Sequence, residues 1–172
     1  KTPFTIQGVQ NSASQLLAMG IEADKLIPTL KSLGDVAAGL SVPIEQLTLA
    51  YGQVRAANQL YGTELRQFVQ AGVPLLAELA TMFGKTQAEV KKMVEEGQVG
   101  FKHVEQAFKN MSGAGGLFFN LMDKQSKTFA GAMSNLKDVM SILAAQLFSE
   151  AIPVLTQGIQ NLTKWIKDNQ AK

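Results

Sequence analysis

Cysteine is absent from the 172 residues. That excludes disulfides, thiolate zinc sites, iron–sulfur clusters and cysteine nucleophiles, and it fits a reducing compartment. Histidine occurs once, as His103, and tryptophan once, as Trp165. A lone histidine has no second imidazole with which to build a metal site or a relay. Charge of one sign is also lacking. Sixteen basic residues face fourteen acidic ones, a net charge of +2. Such a balance argues against nucleic acid or an anionic membrane as the main partner. No apolar run reaches the ~18–20 residues needed to cross a bilayer. The most apolar stretch, Val139 to Phe148, is broken by Ser141 and Gln146 and reads as a buried helix. No signal peptide is visible. The chain starts at Lys1 and not at methionine, so it reads as part of something longer.

What is present is helical. Hydrophobic residues make up 46%. A chain of this length can bury roughly 70% of its unfolded surface, enough for a real core. Strand-like alternation is nearly absent, while spacings of three and four recur between glycine and proline breaks. Ser12 to Met19 reads as a short helix ended by Gly20. Pro28 is placed to open the next, whose stripe is Leu26, Leu30, Leu33, Ala37 and Leu40. Ser41 is the expected N-cap of a longer helix with Pro43 in its first turn. That helix's stripe runs Ile44, Leu47, Tyr51, Val54, Asn58 and Tyr61, with Asn58 its one polar interruption. Helices are expected over about Glu64 to Ala71, from Pro74 to Gly84, from Thr86 to Gly97, and from Phe101 to Met111. Thr86 and Glu89 have the spacing of a capping box.

Ser112-Gly-Ala-Gly-Gly116 is the most flexible stretch and reads as a joint. Beyond it Phe129, Met133, Leu136, Met140, Leu143 and Leu147 repeat at alternating spacings of four and three, over nearly three heptads. A core face and an oligomer seam share that period, so the stripe leaves both open. Pro153 ends or kinks the helix, and Leu155, Ile159, Leu162 and Ile166 resume the pattern.

Each apparent motif has a plainer explanation. Gly84-Lys85-Thr86 looks like the end of a phosphate loop, but the required earlier glycine is Leu79 and no strand precedes it. A helix stop and restart explains all three residues. Ala80 to Met111 has a helix-turn-helix rhythm. However, residues 85–109 carry five lysines against four glutamates, and no arginine to read guanine. His103 has no orienting partner or nucleophile in sequence and reads as a surface residue. Glu95 and Glu96 are adjacent, so they point to different sides of a helix. Gly113 to Gly116 followed by Phe118 and Phe119 has the composition of a membrane-inserting segment. The plainer reading is a hinge whose phenylalanines dock into the core. No catalytic, cofactor-binding or metal-ligating set emerges.

Several ordered blocks resemble the tape measure domain of tailed-phage tape measure proteins. They are Ile27 to Gly39, Gln46 to Leu65, and Leu65-Arg-Gln-Phe-Val-Gln-Ala-Gly-Val-Pro-Leu-Leu76. The last of these is the most specific. Further blocks follow in order: Glu89 to Met93, Phe101 to Ala107, Gly115 to Met122 and Ser134 to Asp138. Together they span about residues 12–150. One departure is Gly100, where the family often has serine or threonine, which weakens the cap of the Phe101 helix.

The resemblance implies a structural protein that sets tail length and scaffolds tube assembly, then leaves the tube ahead of DNA. It implies tail tube protein, assembly chaperones and tail-tip proteins as partners, and the host envelope at infection. Its expected place is the tube lumen of the virion tail, after assembly in the host cytoplasm. No cofactor and no specific DNA sequence are implied. The expected fold is all-α: a bundle of short helices over 1–111, a glycine hinge at 112–116, and long amphipathic helices over 117–172 forming a coiled-coil-like arm. The stripe from Phe129 to Leu147 is the expected self-association or partner surface. The alternatives are a membrane-active or channel-forming module and a helix-turn-helix DNA-binding domain.

Overall fold

A computed structural model of the chain describes residues 5–125. All of them belong to the first of two compact units into which the chain divides. Among the described residues the structure has eight helices and no strand: α1 (Ile6–Ala18), α2 (Ala23–Leu40), α3 (Ile44–Ala57), α4 (Gly62–Gln70), α5 (Leu75–Phe83), α6 (Gln87–Glu95), α7 (Phe101–Ser112) and α8 (Leu121–Gln125). The all-α fold is therefore as expected. The proposed arm and its stripe, Phe129 to Leu147, lie outside the described residues.

The predicted stripes form most of the core. Leu26, Leu30, Leu33 and Ala37 of α2, and Ile44, Leu47, Tyr51 and Val54 of α3, are buried. α1 packs mainly on α3, while α7 packs against α2, α3 and α5. The Phe108 ring of α7 meets Tyr51 edge-on, with centroids 5.4 Å apart, and Phe68 at a tilt, also at 5.4 Å. Both separations fall in the range aromatic pairs favour. Phe101 adds an edge contact to Tyr51 at 5.2 Å, and the Arg55 guanidinium lies 5.3 Å from its ring centre.

Four local expectations change. α1 begins earlier than the Ser12 reading, because Thr5 caps it: its hydroxyl accepts from the Gly8 amide at 2.9 Å. α2 begins at Ala23, so Pro28 lies inside the helix and does not open it. Ser41 does not cap α3. It sits at φ 57° as the last cap of α2, and α3 starts only after Pro43, which keeps the preceding residue out of helical geometry. Asn58 does not interrupt a helical face but ends it, at φ 54°. The chain then turns alongside the Val99–Gly100 segment, where the Leu60 amide donates to the Val99 carbonyl at 2.9 Å. That turn buries Leu60 and leaves Tyr61 exposed.

Candidate functional site

The junction of α2, α7 and α8 holds the one buried acid among the described residues, Asp35, and the meeting of Ser32 with Ser112. α2 is buried without interruption from Leu33 to Ala38. Gly34, Val36 and Ala38 are buried as well as Leu33 and Ala37 of the stripe, so α2 is covered on more than its leucine face here. Asp35 lies in this run, only 2% exposed. Its Oδ1 accepts the backbone N–H of Met122 at 2.9 Å, across 87 residues of sequence. Met122 is the second residue of α8, so a carboxylate borrowed from α2 occupies the electropositive end of that helix. Burial pushes the Asp35 carboxyl above its ordinary value. The Met122 amide and Lys31 pull it down, and Asp123 pushes it up. At the exposed edge the Lys31 ammonium stands 3.8 Å from the Asp123 carboxylate.

α8 is anchored by two apolar side chains, Phe118 just before it and Met122 within it, both buried. Phe118 approaches α2 where it carries Gly39. A side chain there would run into Phe118, and its first carbon would lie 2.8 Å from Leu121 Cδ1. The turn leading into α8 is equally close-fitting. The Phe118 amide donates to the Met111 carbonyl at 2.8 Å. A side chain on Gly116 would strike the carbonyls of Asn110 and Met111. The Ser32 and Ser112 hydroxyls lie 2.7 Å apart and both reach the Phe108 carbonyl, at 3.1 and 2.8 Å, tying α2 to the end of α7.

A groove of about 410 Å³ beside this junction is lined in part by Lys25, Ser32, Asp35, Tyr51 and Lys109. Its cations are compensated. Lys25 pairs with Glu22 at 2.6 Å and Lys109 with Glu105 at 2.8 Å. A second groove, about 450 Å³ and mostly apolar, runs between α4 and α6 past Leu65, Val69, Leu76 and Val94.

The motif residues take structural places. Gly84 ends α5 at φ 64°, and Thr86 and Glu89 form the capping box of α6. The Thr86 amide and hydroxyl both donate to the Glu89 carboxylate at 2.8 Å, and these bonds, the amide's foremost, hold it below the usual carboxylate value. His103 does the corresponding work for α7. Its Nδ1 accepts the Gly100 amide at 3.1 Å and its ring meets Phe83 edge-on at 5.0 Å. The histidine thus supplies half of the box that Gly100, with no hydroxyl, cannot complete. The helix that a helix-turn-helix reading would lay in a major groove is α7, whose Phe101, Val104, Ala107, Phe108 and Met111 are buried. Glu95 is the last residue of α6, and Glu96 reaches Lys92 at 3.6 Å. Of the aromatic pair after the glycines, Phe118 is buried but Phe119 is 49% exposed, and Leu117 beside them is 72% exposed. Asp35 escaped sequence reasoning. The available signal was an acid set among the small residues Gly34, Ala37, Ala38 and Gly39.

Among the described residues no cluster of histidine and carboxylate side chains could hold a metal ion. No described helix is long and apolar enough to cross a membrane. Fold and junction together define an all-helical structural module, built by docking one helix on another around an aromatic centre. The chain belongs to the tape measure protein family, whose model matches residues 1–149. No curated protein and no solved structure matches it. The family is structural, and membership gives this chain a structural role in the phage tail.

Proposed function

We propose that this chain is the part of a tape measure protein around which tail assembly is organised, and that the parent protein sets tail length. The family match over residues 1–149 carries this reading. In it, tail tube subunits polymerise along the parent protein in the host cytoplasm, with assembly chaperones and tail-tip proteins as further partners. The protein occupies the tube lumen of the virion and leaves ahead of DNA. The frequent helix breaks between α1 and α7 suit a folded domain and not the extended ruler itself. The test is electron microscopy of particles whose parent gene lacks, in frame, the codons for residues 12–150. Absent tails, or tails of scattered length, are expected. Tails of normal length and number that still deliver DNA would overturn the reading.

Within this function the stripe Phe129, Met133, Leu136, Met140, Leu143 and Leu147 is proposed as a self-association or partner surface. Met133→Asp combined with Met140→Asp is expected to abolish any oligomer, as read by light scattering, while helicity over the first hundred residues persists. Global loss of circular dichroism in that variant would make the stripe a core face instead. A membrane-active role for the glycine–phenylalanine segment is the second reading, favoured by the exposure of Leu117 and Phe119. Normal tails that fail to deliver DNA are the result that would favour it.

A further inference from the structure

We infer that the apolar groove between α4 and α6 is an interface that seats a second copy of this chain, related to the first by a two-fold axis. This surface is separate in sequence from the stripe Phe129 to Leu147, and the inference does not rest on the tail-assembly reading.

The groove exists because α4 and α6 each pack on α5 and scarcely on each other. Leu65 of α4, Leu76 of α5 and Val94 of α6 line it, the first and last of them buried. Val69, also in the lining, is 52% exposed. Tyr61, which precedes the lining Gly62 at the start of α4, is 49% exposed. An exposed apolar patch of this kind marks a contact surface. Charge selects its occupant. Arg66 on α4, with Lys91 and Glu95 on α6, completes the lining, and all three are exposed. Among the described residues none of them has an ion-pair partner, although Lys91 and Glu95 stand one turn apart. An acidic partner would meet the two cations but oppose Glu95. A basic partner would meet Glu95 but oppose both cations. A second copy answers both signs. In a two-fold contact, residue i meets residue j of the other copy and j meets i. An axis through the groove, with Arg66 on one wall and Glu95 on the other, brings Arg66 of each copy over Glu95 of the other. One contact thus makes two ion pairs and covers both Val69 side chains. The left-over cation, Lys91, is exposed and stays solvated.

Sedimentation velocity on the full chain tests this. The chain carries Met133→Asp and Met140→Asp, so that association through the stripe is not read in its place. A dimer in reversible exchange with monomer is expected at about 100 μM. Arg66→Glu and Glu95→Arg should each weaken it at least about tenfold, because symmetry sets two like-charge contacts in every dimer. Mixed in equal amounts, these two variants should form a heterodimer within about threefold of the starting affinity, since each then meets its opposite twice. Val69→Asp should abolish the dimer. All three positions are exposed, so circular dichroism should not change. The same variants in the otherwise wild-type chain should rank in the same order, whatever the stripe contributes. Monomer at every concentration would overturn the inference and leave the groove to a different protein. So would single charge reversals without effect, a mixture as weak as its components, or a dimer that Val69→Asp leaves intact.

Discussion

Phe108→Ala is expected to destabilise the helical body by about 3–5 kcal/mol. The ring is 1% exposed and lies between Tyr51 of α3 and Phe68 of α4, so its removal opens a void where three helices meet. The cost has two parts, the lost transfer of the ring out of water and the cavity that close-packed neighbours cannot refill. A domain of this size has a total stability of about 5–15 kcal/mol, so the variant should lose a large share of it. Urea unfolding followed by circular dichroism checks this, with Phe119→Ala as the control. Phe119 is half exposed, and its loss should shift stability by about 0.5 kcal/mol or less. A Phe108→Ala cost below about 1.5 kcal/mol, outside the usual range for such truncations, would mean that α7 is not the centre of the core.

Asp35→Ala should raise exchange at the Met122 amide by about 5- to 150-fold at neutral pH, the equivalent of about 1–3 kcal/mol for a buried donor left without its acceptor. Asp35→Asn keeps an acceptor oxygen and should change it far less. The wild type should also respond to pH in a definite direction. Burial raises the Asp35 carboxyl above 3.8 in the folded chain, so the folded state takes up its proton more readily than the unfolded chain. The stabilisation this provides is fully present below pH 3.8 and is lost as pH rises through the raised value. The charged groups that shape this response are Lys31 on α2 and Asp123 on α8. The Met122 amide proton resonance should therefore titrate with a midpoint above 3.8, and Asp35→Asn should abolish that titration. A midpoint below 3.8 would mean that the amide and Lys31 outweigh burial.

The parts of this fold that local chemistry determines were legible in the sequence. The stripes of α2 and α3 up to Val54 follow from helical period, and the Thr86–Glu89 box follows from spacing alone. Helix limits set by competition were not legible. Asn58 is an acceptable helix residue and an equally acceptable left-handed cap. Only the pairing of Leu60 with Val99, some forty residues away, decides between them. Ser41 has the right side chain for an N-cap, but the proline two residues on prevents the helix from reaching back to it. The Asp35–Met122 contact was hidden for a related reason. Its partner is a backbone amide 87 residues distant, and no local period reports such a pairing.

The central place of α7 bears on how the chain is made. Ser32 meets Ser112, and Tyr51 meets both Phe101 and Phe108. A ribosome delivers α2 and α3 long before it delivers those partners, at about 5–20 residues per second. By then α1 already lies against α3 and α2, but until residue 112 has cleared the exit tunnel the surfaces that α7 covers, Tyr51 among them, stay open. That interval is when the nascent chain is most open to aggregation.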